Sequence, residues 1–265
     1  MYQQILSALP DDYPWKEHFT YFSEIDSTND RLKLLARQGA PHGTVLIADR
    51  QTGGHGRLGR NFHSPAGVGI YLSILLRPDC APGALMHLTC ATAVAMCDAV
   101  EHAAGFRPGI KWTNDLVFGK RKLGGILTEL GLSPKGRVEY AIIGIGINCC
   151  QKPEDFPEDI RSIAGSLSMV SGAEISRAEV AAAMMNALRQ LDQTLLQEKT
   201  SMLEQYRRDC ITVGKDISLL RGDKIRHGHA LTVDDEGALV VLFPDGHTEA
   251  VNSGEVSVRG MYGYL

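Results

Sequence analysis

The chain has 265 residues, 44% of them hydrophobic and 22% charged, and 27 Lys and Arg against 31 Asp and Glu leave a net charge of −4. These globular proportions exclude a disordered or fibrous protein. The acidic balance argues against coating a nucleic acid through bulk charge, although a local basic pocket stays open. The start, Met1 to Ser7, has neither a basic segment nor a long apolar run, so no export signal is expected. The most apolar runs, 70–76 and 141–147, are strand-sized. No run of about 18 apolar residues predicts a membrane span. Cys80, Cys90, Cys97, Cys149, Cys150 and Cys210 form no CxxC pair. They read as reduced thiols of a cytoplasmic protein.

In chain order, Ser27 with Asp30 predicts a capped helix over 28–38, stopped by Gly39. Thr44–Ala48 reads as a buried strand, and a Gly-rich loop follows from Gly53 to Gly59. Residues 68–76 predict a second strand. Leu85, Leu88, Ala91, Val94 and Ala95 recur at helical spacing within a helix over 84–103. A β-rich block comes next: 110–113, 116–118, a basic turn at 119–122, 126–130, and a strand over 138–147 broken by Gly144 and Gly146. Residues 177–208 predict one or two helices. Beyond Gly214 the runs 217–220, 230–233, 239–243, 249–251 and 256–258 alternate with turn residues, including Arg221-Gly222-Asp223 and Ser253-Gly254. Five short strands in so few residues predict a small barrel. The expected division is a mixed α/β domain over 1–213 and an all-β domain over 214–265. His227-Gly228-His229 reads as a turn and is weak evidence for metal.

Gly54-His55-Gly56-Arg57-Leu58-Gly59 is a literal GxGxxG after a strand. The dinucleotide fingerprint needs a helix to start at the loop, so that its N-terminus faces the pyrophosphate. Pro65, Gly67 and Gly69 instead lead into a strand, and an NAD oxidoreductase is disfavoured. No Gly-Lys-Ser/Thr follows either, so the loop is not a Walker loop. It offers backbone N–H groups flanked by Arg57 and Arg60, which suits an anion. Its bland reading is a flexible surface loop.

Lys111-Trp112-Thr113-Asn114-Asp115 and Lys120 to Gly125 form a second cationic, glycine-punctuated set. Its bland reading is a charged β-turn. Gly144-Ile145-Gly146-Ile147-Asn148 reads as a bulge with a capping amide, and Ser27-Thr28-Asn29 as simple capping. Four such features on one chain point to one shared site.

Together these stretches resemble the biotin protein ligases. The resemblance rests on Glu24 to Asn29, Gln51 to Pro65, Lys111 to Leu116, Arg121 to Leu127, Ile143 to Asn148, and Gly254-Glu255-Val256-Ser257-Val258-Arg259. It implies an α/β (α+β) fold: a mixed β-sheet with flanking helices, as in class II aminoacyl-tRNA synthetases, plus a small Src-homology-3-like β-barrel. It also implies ATP and Mg²⁺ as cofactors, biotin as substrate and a biotin carboxyl carrier protein domain as partner. Some 20 residues precede the first matching stretch, so a DNA-binding winged helix is not expected. The type implied is monofunctional, with no DNA or membrane partner, and a monomer or homodimer.

By the same resemblance, Ser27, Thr28, Asn29 and Gln51 hold the ureido ring or tail of biotin. Gly54, Gly125 and Gly144 admit close backbone, and His55 and Gly56 join the biotin contacts. Arg57, Arg60 and Lys122 hold the carboxylate and the α-phosphate, with Lys122 the foremost catalytic cation. Lys111, Asn114 and Asn148 fit the nucleotide, which Trp112 and Phe62 cover, or else Trp112 packs in the core. Asp115 holds Mg²⁺ or takes the proton of the incoming lysine. His55 stands where the family usually has Arg, which removes one permanent cation and predicts a weaker or pH-dependent hold on the adenylate. A lipoate–protein ligase and a non-catalytic biotin sensor are the alternatives.

Overall fold

The computed structural model describes residues 1–221, 224–252 and 254–258. Arg259, Gly222, Asp223 and Ser253 lie outside the described residues. The first part runs α1 (Tyr2–Ala8), β1 (Phe19–Phe22), α2 (Thr28–Arg37), β2 (Thr44–Ala48), β3 (Gly69–Leu76), α3 (Leu88–Ala104), β4 (Gly109–Lys111), β5 (Asp115–Phe118), β6 (Arg121–Leu132), β7 (Val138–Asn148), α4 (Leu167–Ser171), α5 (Arg177–Thr194) and α6 (Lys199–Asp209). The second runs β8 (Asp216–Arg221), β9 (Lys224–Val233), β10 (Leu239–Leu242), β11 (Thr248–Val251) and β12 (Glu255–Val258).

A seven-stranded mixed sheet, ordered β1-β2-β3-β7-β6-β5-β4, forms the first part. Its β1–β2 pair is parallel and its other pairs are antiparallel. The second part is a five-stranded antiparallel sheet, β11-β10-β9-β8-β12.

Alternation along the central strands decides what each face of the large sheet carries. Ile70, Leu72, Ile74 and Leu76 of β3 and Ala141, Ile143, Ile145 and Ile147 of β7 join the main core, with α3 and α5. The opposite face holds a smaller cluster, in which Leu32 and Ala36 of α2 cover Leu75 and Ile142. That face then changes character along the strands. Leu75 pairs with Ile142, Ser73 with Gly144, and Tyr71 with Gly146. The apolar pairs end beneath α2, and small and polar residues open a space beyond them.

Several expectations need correction. β7 is continuous through Gly144 and Gly146, because each keeps its ladder partner on β3. Only 119–120 of the supposed basic turn is a turn, since Arg121 and Lys122 already pair with Phe118 and Val117. His227 to His229 lie in β9, opposite Ser218 to Asp216, and no metal-binding cluster of His, Cys, Asp or Glu occurs among the described residues. Residues 82–104 form a stretch long and apolar enough to cross a bilayer, contrary to the reading of the sequence, but 72% of its 18-residue apolar window is buried inside the protein. That burial marks it as a core helix. The six cysteines are free thiols.

His87 ties the head of α3 to the chain after α5, with Nε2 3.0 Å from the Leu195 carbonyl. Burial holds its pKa below the ordinary histidine value. The unfolded chain therefore takes up a proton first as pH falls. Stability is full above the ordinary value of about 6.5 and declines below it, toward the lower folded value. Urea unfolding at about pH 7 and about pH 5 should show this loss, and His87→Gln should reduce it. Equal pH slopes in the two proteins would contradict the assignment.

Candidate active site

One row of residues crosses the sheet on the α2 face. Lys111 on β4 faces Asp115 on β5, Asp115 faces Gly125 on β6, Gly125 faces Gly146 on β7, and Gly146 faces Tyr71 on β3. Two glycines face each other at the centre, Gly125 and Gly146. Above them lies a cavity of about 340 Å³, bounded by the N-terminus of α2, the Gly-rich loop and the segment after β7. Gly254 and Val256 of the second sheet also reach it.

α2 starts where it does because the Ser27 side chain accepts from the Asp30 N–H, as a cap should. That start points Thr28 and Asn29 at the sheet. The Thr28 N–H and hydroxyl both donate to Gln51 Oε1, at 2.9 and 3.0 Å. Gln51 Nε2 donates to Ser64 Oγ at 3.2 Å, and Ser64 donates to the Phe62 carbonyl at 2.8 Å. On the other side Ser73 Oγ lies 2.7 Å from Thr28 Oγ1 and 2.6 Å from Asn29 Oδ1. Asn29 Nδ2 donates to Glu129 at 3.0 Å, and Lys33 donates to the same carboxylate at 2.9 Å.

The glycines prove to be made for side chains of the protein itself. A Cβ on Gly144 would collide with the Asn29 amide, and one on Gly146 would lie 2.6 Å from Cζ of the Phe62 ring. Gly54 is closed off by Ser64 Oγ at 2.7 Å and Gln51 Nε2 at 2.8 Å from such a Cβ. Gly125 differs, since a Cβ there would only touch Lys122 at 3.5 Å and Asp115 at 3.6 Å. Phe62 stands edge-on to Tyr71, with ring centroids 6.3 Å apart.

The Gly-rich loop has a defined course. Gly56 N–H bonds the Arg60 carbonyl at 2.8 Å, Phe62 N–H bonds that of Gly54 at 2.9 Å, and His55 bridges to Asn61. Only a short 3-10 turn, Arg57–Gly59, interrupts it, and β3 follows, so no α-helix starts at the loop. Leu58 at the tip has φ of 58° and is exposed. The His55 ring sits 3.1 Å from the Gly53 carbonyl and 3.8 Å from Asp30.

The cations line the opposite wall. Lys122 Nζ is 2.7 Å from Asp115 Oδ1. Arg57 donates to Asn114 Oδ1 at 3.2 Å, and Asn114 donates to the Ile126 carbonyl at 2.9 Å. Lys111 is buried at the same end, and Arg60 is exposed on the loop. The segment after β7 clamps Lys122 through its backbone, with Lys122 N–H to Ile163 O at 2.7 Å and Gly165 N–H to Lys122 O at 2.9 Å. That segment offers Phe156, Ile160 and Ile163 to the cavity as an apolar wall.

Asn148 and Trp112 both line the cavity, and each also bonds within the protein. Asn148 spends its amide on the clamp, donating to the Gly165 carbonyl at 3.0 Å and accepting from Gln151 at 3.1 Å. Trp112 borders the cavity but is buried, and its indole N–H donates to the Gly237 carbonyl at 3.0 Å, which ties the second sheet to the first. Ser73, Glu129, Lys33, Ser64 and the segment after β7 escaped the reading of the sequence. The signals were present: a serine within the apolar run 70–76 and an acid within the strand at 126–130.

A cavity with a hydrogen-bonding floor, a cationic wall and an apolar side suits a small polar ring and a nucleotide held end to end. Comparison with known proteins agrees. Residues 21–148 match the Biotin/lipoate A/B protein ligase family, and residues 212–259 match the Biotin protein ligase C terminal domain. The chain is 36% identical over 246 residues to the Bifunctional ligase/repressor BirA of Bacillus subtilis, covering 87% of this chain and 71% of that one. It is 32% identical over 243 residues to the Biotin--[acetyl-CoA-carboxylase] ligase of Mycobacterium tuberculosis, covering 88% and 86%. The structure of biotin protein ligase from Aquifex aeolicus in complex with biotin and ATP superposes with a TM-score of 0.75 at 30% identity, covering 92% of this chain and 99% of that one. The chain belongs to the biotin protein ligase family.

Proposed function

We propose that the protein joins biotin to a lysine of a biotin carboxyl carrier protein domain in two steps. A biotin carboxylate oxygen first attacks the α-phosphorus of ATP; the new C(O)O–P bond forms as the α–β P–O bond breaks, and pyrophosphate leaves. The lysine amine, in its neutral form, then attacks the acyl carbon of biotinyl-5′-AMP; a C–N bond forms, AMP leaves and the amine gives up a proton. The observation that carries this reading is that one cavity joins the polar floor of Thr28 and Gln51 to the cations Arg57, Lys111 and Lys122.

The first step pushes one anion onto another, so fixed cations and oriented donors supply the rate. Ser27, Thr28, Asn29 and Gln51 take the ureido end of biotin. Arg57 and Lys122 take the carboxylate and the α-phosphate, with Arg60 closing from the loop. The wall of Ile160, Ile163 and Phe156, with Lys111, takes the nucleoside. Asp115 is the carboxylate beside Lys122, and it would hold a Mg²⁺ ion brought with the phosphates. When bound, that ion draws charge from the phosphates. The catalytic unit is taken as 1–213 and the barrel as 214–265. Free thiols fit a cytoplasmic location.

Asp115→Asn separates the roles open to this carboxylate. It keeps the side-chain volume but loses the charge beside Lys122. Loss of about tenfold or more in the transfer step, with adenylation near wild type, marks a base for the lysine. Loss of adenylation marks a partner of Lys122 or of the metal. Rapid-quench assays of the two half-reactions read this out. The reading as a whole is tested by ATP–pyrophosphate exchange, which should proceed with biotin and not with lipoate. Exchange with lipoate alone would overturn it.

A further inference from the structure

Where Thr28, Asn29 and Ser73 meet, the polar floor has more acceptors than protons. The Thr28 hydroxyl proton is committed to Gln51 Oε1, because the Gln51 amide is oriented by Thr28 N–H on its oxygen and Ser64 on its nitrogen. Ser64 in turn gives its own proton to the Phe62 carbonyl. At the other end Glu129 accepts only, so Asn29 must turn Nδ2 toward it, and the Asn29 oxygen faces Ser73. Lys33 neutralises Glu129 and fixes it in place. Three oxygens then meet, Thr28 Oγ1, Ser73 Oγ and Asn29 Oδ1, and Ser73 supplies the one proton these bonds leave among them. Ser73 is 0% exposed, Thr28 3% and Asn29 5%, so water does little to relieve the surplus. Buried acceptors of this kind call for a donor.

We propose that Glu129 and Ser73 are positioning residues that wire this floor as an acceptor site for a ring N–H of the substrate. The proposal rests on the biotin reading above. Thr28 and Asn29 line the cavity, whereas Ser73 and Glu129 act from behind them. The wiring selects a cyclic urea, which brings N–H donors, and it offers nothing to a dithiolane ring, which brings none. The discrimination arises because a ligand without the donor leaves buried oxygens unpaired.

Glu129→Gln is the informative change. The carboxamide keeps the size but presents both a donor and an acceptor, so Asn29 is free to flip. Titration calorimetry should show biotin binding at least about tenfold weaker, with the KM for ATP unchanged. A second probe is a biotin analogue with a cyclic carbamate, in which one ring N–H is replaced by oxygen. Wild type should bind it at least about tenfold more weakly than biotin, and Glu129→Gln should lose most of that preference. Ser73→Ala should behave likewise, and the double variant should be far from additive. The inference fails if Glu129→Gln binds biotin as wild type does, or if it lowers only Tm and kcat while the preference for biotin over the carbamate persists. It also fails if wild type binds both ligands equally, a result that needs no variant to fold. If wild type does not bind biotin at all, the biotin reading itself falls.

Discussion

Lys122→Ala should lower the rate of biotinyl-AMP formation by about a hundredfold or more, with little change in stability. The two effects separate because of where the side chain sits. Its ion pair with Asp115 is part-exposed, and pairs of that kind contribute about 0–1 kcal/mol to folding. In the proposed reaction the same ammonium, which lines the cavity, faces the point where a carboxylate approaches a phosphate. Loss of one preorganised charged donor at such a point typically costs about 3 kcal/mol in the transition state. The backbone of Lys122 would stay clamped by Ile163 and Gly165, so the cavity keeps its shape. Lys122→Arg should recover only part of the rate, since the charge returns but the fork does not match the position. Single-turnover adenylation with a parallel thermal melt checks this. Near wild-type adenylation in Lys122→Ala would remove it from the reacting centre.

The second large effect is expected from Gly144→Val. Gly144 sits opposite Ser73 and directly below α2. A Cβ there would lie 2.7 Å from Asn29 Cγ and 2.8 Å from Nδ2. Asn29 then leaves its bonds to Ser73 and Glu129, or the first turn of α2 shifts. Overpacking and the unpaired polar groups together should destabilise the fold by on the order of 3 kcal/mol. Biotin binding should weaken by at least about tenfold, because the floor loses its shape. A urea melt and a biotin titration measure the two consequences. Unchanged biotin affinity would mean that Asn29 has no part in the floor.

Much of this site could be read before the structure. Ser27 and Asp30 placed the start of α2, and Thr44–Ala48 and the run 70–76 placed two central strands, because caps and apolar runs are local signals. The cluster of Arg57, Lys111 and Lys122 was legible as cationic residues beside glycines. What stayed hidden depends on pairing between distant strands. The glycines of β7 looked like breaks, since nothing local says that Asn29 and Phe62 will fill the space they leave. The clamp on Lys122 comes from residues some 40 positions further on, and the amide of Asn148 serves that clamp. α1 and β1 are too short for periodicity to announce. Trp112 was evenly balanced between nucleotide and core until its indole N–H was seen to bond Gly237.

The proposed ligation is tested by biotin transfer to a carrier domain with ATP and Mg²⁺, followed by mass spectrometry of the carrier and by assay of AMP and pyrophosphate. The expected result is one biotinyl group on a carrier lysine, with AMP and pyrophosphate released in equal amount. Carrier left unmodified while wild-type protein binds biotin and ATP would contradict it.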